Sequence, residues 1–116
     1  MGRTPQETFQ HHVEALGAED LDEIVTDYTE DAILVDNGTI RRGLEGVRQG
    51  FVELIGIVPN ASWDLPTQVF EGDILYLEWT ADSTENRVDD GTDTFVFTEN
   101  GQIRVQTVKY TPRSKG

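Results

Sequence analysis

The chain has 116 residues, 36% of them hydrophobic, enough for one domain with one core rather than a disordered segment. A formal net charge of −13 and a pI of about 4.3 exclude phosphate-backbone binding, which needs clustered Lys and Arg. The absence of cysteine excludes disulfides and thiolate metal sites.

Thr4-Pro5 is an N-cap followed by a first-turn proline. Phe9, Val13 and Leu16 then recur at helical spacing, which predicts a helix over Pro5–Leu16 ended by Gly17. His12 falls on that inward stripe, and His11 falls outside it as a solvated neighbour. A second helix is predicted over Ala18–Tyr28, with Leu21, Ile24, Val25 and Tyr28 as its apolar stripe and Glu19, Asp20 and Asp22 at its positive end.

Ala32–Val35 reads as a strand, Asn37-Gly38 as a tight turn and Thr39–Arg42 as the return strand. Leu44–Ile57 reads as the third helix, burying Val47, Phe51, Leu54 and Ile55, with Pro59 beyond its end. Four strands follow at Ser62–Phe70, Ile74–Ser83, Asp90–Thr98 and Ile103–Tyr110, joined at Glu71-Gly72-Asp73 and Glu99-Asn100-Gly101. The tail, Thr111–Gly116, reads as frayed. Helices first and antiparallel strands after make an α+β layout. A curved sheet wrapped around helices leaves a cavity between the layers, where small ligands bind.

Several strings, in order, resemble the nuclear transport factor 2-like superfamily, in its ketosteroid isomerase and polyketide-cyclase (SnoaL-like) branch. They are HVEALGAEDLDEIVTDYTEDAILVDNG at 12–38, Gly43-Leu44-Glu45-Gly46, and DTFVFTENGQIRVQTVKY at 93–110. The resemblance spans nearly the whole chain. It implies a cystatin-like cone with three N-terminal helices in the concave face of a curved antiparallel sheet. It also implies a cofactor-free isomerase or cyclase working by proton transfer. That branch uses an Asp base, with a Tyr and a protonated Asp donating to the enolate oxygen. Carried over, Asp36 matches the base and Asp93 the protonated Asp, while the Tyr position holds His12. A phenol stays a neutral donor at pH 7, whereas an imidazole can donate, accept or charge, so steroid isomerisation itself does not follow.

The residues support two readings at each position. Asp36 is either a base whose pKa rises in an apolar cavity or a cap on the Asn37–Thr39 backbone. His12 is either a core histidine or a pocket group facing Asp36 or Asp93, whose carboxylate would favour imidazolium. Asp93 is either a pocket group, sharing strand parity with inward Phe95 and Phe97 where a buried Asp is costly unless protonated or paired, or the end of a strand beside a solvated Asp89-Asp90-Gly91 turn. In Ile74–Thr80 one face is Leu75, Leu77 and Trp79, and the other includes Tyr76 and Glu78; a one-residue slip decides which meets a ligand. Gln106 and Tyr110, on a face shared with Val108 and Arg104, are polar contacts to a ligand or core, and Phe51 a further ligand contact.

The function expected is an enzyme moving a proton on a small apolar carbonyl compound. A binding module without chemistry and a hydrolase or dehydratase activating water between carboxylates are its rivals. A homodimer through the outer sheet face is expected, because either face left bare would be too apolar for water. No metal and no cofactor is expected, since adjacent His11 and His12 point apart and Asp89, Asp90 and Asp93 lack the calcium-loop spacing. With no signal peptide apparent at Met1–Pro5, the expected compartment is the cytoplasm.

Overall fold

The computed structural model describes residues 2–116. Helix α1 (Pro5–Gly17) starts at a capping box: the Thr4 side chain accepts from the Glu7 amide, and the Glu7 carboxylate accepts from the Thr4 amide. Glu19, at φ 55°, takes the left-handed turn that closes the helix, and the Asp20 amide reaches back to the Ala15 carbonyl. Gly17 does not serve as the stop. Helix α2 is one and a half turns, Leu21–Thr26, capped by the Asp20 side chain on the Glu23 amide. This is shorter than the Ala18–Tyr28 helix predicted. Its apolar stripe is real at Ile24, but Tyr28 belongs to the sheet.

Strand β1 runs Tyr28–Asp36, turns at Asn37 and Gly38, both at positive φ, and returns as β2 (Thr39–Arg42). Two consecutive left-handed residues suit a two-residue hairpin, which is why Asn-Gly occupies it. Helix α3 (Gly43–Ile57) follows at once, then β3 (Ser62–Glu71), β4 (Ile74–Asp82), β5 (Asn86–Phe97), β6 (Ile103–Lys109) and β7 (Pro112–Ser114). The strands form one sheet in the order β2-β1-β6-β5-β4-β3, with β7 on β5. The predicted sheet is antiparallel; the observed one is mixed, because β1 runs parallel to β6. The tail read as frayed is strand β7, pairing Pro112–Ser114 with Asn86–Val88.

The helices pack on the inner face of the curved sheet. Ile24, Val47 and Phe51 from the helices meet Leu34, Leu75, Phe95 and Ile103 from the strands, all buried. Strand β4 presents Leu75, Leu77 and Trp79 inward. Tyr76 and Glu78 therefore lie on the outer face, where the Tyr76 hydroxyl donates to Glu78 at 2.6 Å. Val69, Ile74 and Tyr76 are exposed there, the surface on which the expectation of a dimer rests. The face assignment of β6 also differs from strict alternation. A bulge opposite Val96–Phe97 puts both Ile103 and Gln106 inward and turns Arg104 out to solvent. Among the described residues no helix is long and apolar enough to cross a membrane.

Candidate active site

Between the helices and the inner sheet face lies a cavity lined by His12, Asp36, Asp93 and an apolar wall. It is partly open to solvent and has a volume of about 50 Å³. Phe51, Trp79, Phe95, Gln106 and Tyr110 line it as well; Tyr76 and Glu78 do not. No Lys or Arg is among the lining residues.

Asp36 ends β1, where the Asn37-Gly38 turn holds the strand tip against β6. It is 7% exposed. Its Oδ2 accepts from Arg41 Nε at 3.0 Å, and Arg41 also pairs with Glu53. The hairpin brings Arg41 there: Asp36 pairs with Thr39 and Leu34 with Arg41, so Arg41 is the diagonal neighbour of Asp36 on the same face. The carboxylate does not cap the turn. That task falls to Asn37, whose Oδ1 accepts from the Tyr110 amide at 2.8 Å. Oδ1 of Asp36 has no protein partner among the described residues, which leaves it for a ligand.

His12 sits in an aromatic box. Its ring stacks on Phe9 at 6.1 Å and meets Phe51 and Phe95 edge-on at 5.5 and 5.7 Å. Neither Asp36 nor Asp93 bonds to it, and its Nδ1 is buried without a partner. Burial, reinforced by the neighbouring His11, pushes its pKa down to about 4. The imidazolium expected from a carboxylate partner is thus replaced by a neutral ring at pH 7. His11, expected to be solvated, instead bonds Asp27 at 2.7 Å and Glu23 at 2.8 Å, tying α1 to the end of α2. The hydrogen bond to Asp27 is the main reason its pKa is raised.

Asp93 projects from β5 and is 5% exposed. Trp79 Nε1 donates to Oδ1 at 2.6 Å and Gln106 Nε2 to Oδ2 at 2.7 Å. Burial raises its pKa to about 7, Asp36 adding to the rise, while the Trp79 and Gln106 hydrogen bonds oppose it. Gly91 makes this geometry possible. It pairs with Trp79 across β4 and β5, and a Cβ there would come within 2.2 Å of two carbons of the indole ring. The indole therefore lies across the bare backbone and aims its N–H two residues along the strand. Gly91→Ala should cost about 1–3 kcal/mol by overpacking and break the Trp79–Asp93 bond. Urea denaturation and a shift in tryptophan emission would show both; wild-type values in each would mean the indole is not pinned there.

The sequence reading missed Tyr28, Arg41, Gly91 and Trp63. The Asn-Gly register carried the signal for Arg41. Tyr28 was absorbed into a helical stripe. Trp63 tilts against Trp79 at 5.4 Å, and Trp79 against Tyr110 at 5.6 Å, forming one aromatic wall of the cavity. No group of three or more His, Cys, Asp and Glu among the described residues is arranged to hold a metal ion.

Comparison with known proteins gives the family. No curated protein sequence matches the chain. Among solved structures, the epoxide hydrolase/cyclase-like enzyme SalBIII, of pyran ring formation in the polyether salinomycin, superposes with TM-score 0.79 at 19% identity, covering 95% of both chains. IdmH, a candidate polyketide cyclase from Streptomyces antibioticus, gives TM-score 0.76 at 15% identity over 93% of this chain and 92% of its own. A SnoaL-like protein of unknown function from Burkholderia thailandensis gives 0.74 at 16% identity over 92% and 94%. At these identities the likeness establishes the fold. The SnoaL-like domain model matches residues 9–106, most of the sequence, and the chain belongs to the SnoaL-like family.

Proposed function

We propose that this protein is a cofactor-free acid–base enzyme that moves a proton on a small, neutral, largely apolar carbonyl compound, as an isomerase or cyclase does. One observation carries the reading. Two carboxylates from opposite halves of the chain share an apolar cavity in unlike settings, Asp36 against a guanidinium and Asp93 buried with a pKa of about 7. Such a division suits one carboxylate to act as base and the other as acid. Asp36 Oδ1 takes the proton α to the carbonyl, and Asp93 donates to the oxygen as the enolate forms. The same two groups return the proton at the new carbon and recover the one on oxygen. Neutral His12 and the aromatic wall hold the carbon skeleton. The one guanidinium beside the cavity among the described residues, that of Arg41, is already paired with Asp36 and Glu53, so a carboxylate or phosphate on the substrate would enter without a free counter-charge.

A second reading is supported by room for water in the cavity beside the two carboxylates. In it Asp36 activates water, or a substrate hydroxyl, towards an epoxide that Asp93 protonates, in line with the name that SalBIII carries.

The test incubates the protein in D₂O with neutral cyclic ketones of steroid, polyketide-like aromatic and terpenoid skeletons, and follows α-proton loss by NMR. Exchange above the buffer rate, with no exchange for matching carboxylic acids, is the expected result. Saturable thermal stabilisation without exchange on any ketone would leave only a binding module. Ring opening of an epoxide without ketone exchange would favour the second reading.

A further inference from the structure

Asp93 is the end of a buried chain of hydrogen bonds. The Tyr28 hydroxyl donates to Gln106 Oε1, and Gln106 Nε2 donates to Asp93 Oδ2 at 2.7 Å. Trp79 Nε1 donates to the other oxygen at 2.6 Å. The four residues are at most 5% exposed, so water does not substitute for any of these partners.

The chemistry of the two flanks differs. An indole N–H can only donate. An amide can offer either end, and some other group must decide which. Tyr28 is that group. Among the described residues its hydroxyl bonds only to Gln106, and with the amide oxygen facing it the hydroxyl proton has an acceptor. Were the amide reversed, Nε2 would donate to the hydroxyl oxygen, and the hydroxyl proton would be left buried and unpaired. Folded proteins rarely tolerate a buried donor in that state, because it has lost water and gained nothing in exchange.

We propose that Tyr28 and Gln106 are positioning residues: Tyr28, acting through the Gln106 amide, keeps both flanks of Asp93 as donors, so the proton carried by Asp93 finds no acceptor in Trp79 or Gln106 and points into the cavity. An acid whose proton is absorbed by its own scaffold cannot deliver it to a ligand. The lock deepens the acid–base reading and rests on it for its purpose, but its test needs no substrate.

The groups facing Asp93 allow a clean measurement. They are His12 from α1, Tyr28 and Asp36 from β1, Trp79 from β4, Gln106 from β6 and Tyr110 just beyond it; α3 contributes Phe51 and β3 Trp63 and Leu65, none of which titrates. Tyr28 is raised well above 10 and Tyr110 is pushed up to about 12, both mainly by burial, and His12 is neutral above about 4. None of those three titrates near pH 7.

The experiment follows the Trp79 indole N–H and the Gln106 side-chain amide by ¹⁵N NMR of the unliganded protein across pH, with Trp63→Phe assigning the indoles. In the wild type the indole signal should titrate with a midpoint of about 7, while the amide stays in one donor environment. In Tyr28→Phe the amide is free to turn its oxygen to protonated Asp93. The midpoint should then rise by about one pH unit, and the amide signal should shift with it. Gln106→Glu leaves Tyr28 in place and offers Asp93 a carboxylate to share its proton, so its midpoint should rise too, and it decides the matter if Tyr28→Phe fails to fold. An indole that does not titrate between about pH 5 and 9, or a Tyr28→Phe or Gln106→Glu midpoint equal to wild type, overturns the lock. A titrating, locked Asp93 in a protein that exchanges no ketone would uphold the lock while defeating the enzymatic reading.

Discussion

Asp36→Asn should remove α-proton exchange and leave the fold intact. The base is the one group in the scheme with no substitute. Loss of a positioned general base slows proton transfer by about 100- to 10,000-fold, which would bring a modest enzyme down to the buffer rate. Folding should survive for structural reasons. Asn has the same shape, its carbonyl can still accept from Arg41 Nε, and Arg41 keeps Glu53 as a second partner. The turn is held by Asn37 rather than by Asp36. Exchange rate and urea midpoint, measured on the same preparation, separate the two effects. If the Asp36→Asn variant exchanges its ketone at the wild-type rate, Asp36 is not the base. If the variant instead unfolds, the Asp36–Arg41 pair is a structural clasp.

How far the sequence could be read depends on which interactions are local. The Asn37-Gly38 hairpin, the bounds of Thr39–Arg42 and the Thr4-Pro5 start of α1 were legible, because each is dictated by residues within one turn of chain. So was the inward side of β5, where Asp93, Phe95 and Phe97 alternate with outward residues. Failures came where a distant partner decided. Tyr28 continues the spacing of Leu21, Ile24 and Val25, yet its backbone pairs with Ile103 and its hydroxyl with Gln106. Thr111–Gly116 carries no strand pattern, and Pro112–Ser114 is a strand only because the start of β5 lies open beside it. The orientation of β4 was undecidable while both faces held large apolar groups. The register settles it: Trp79 pairs with Gly91 and Leu77 with Asp93, on the buried side of β5. In the site, Asp36, His12 and Asp93 could be singled out one by one, but their charge states could not. Those depend on Arg41, on the aromatic box and on the Trp79–Gln106 pair, which the fold brings from elsewhere.

The same buried groups should set how stability varies with pH, and two single variants should tilt that dependence in opposite directions. Burial lifts the Asp93 pKa from 3.8 to about 7. Between those values the unfolded chain has released a proton that the folded chain keeps. The stabilisation is therefore whole below 3.8 and is lost as pH rises through about 7. Three pH units correspond to about 4 kcal/mol. His12 runs the other way, its pKa lowered from 6.5 to about 4. There the unfolded chain binds a proton that the folded ring refuses. That stabilisation is present above 6.5 and is lost as pH falls through about 4, a change of about 3 kcal/mol. In the wild type the two nearly cancel. His12→Phe suits the ring to its neighbours Phe9, Phe51 and Phe95 and leaves Asp93 unopposed. Relative to wild type, it should gain about 3 kcal/mol on going from pH 7 to pH 4. Asp93→Asn should lose about 4 kcal/mol over the same interval. Taking each variant against wild type at each pH removes the contribution of the other carboxylates, which titrate in all three proteins. Urea denaturation followed by circular dichroism gives the comparison. Three parallel profiles would mean that neither side chain is sequestered from water as the structure has them, and with that the acid in the proposed mechanism would be gone.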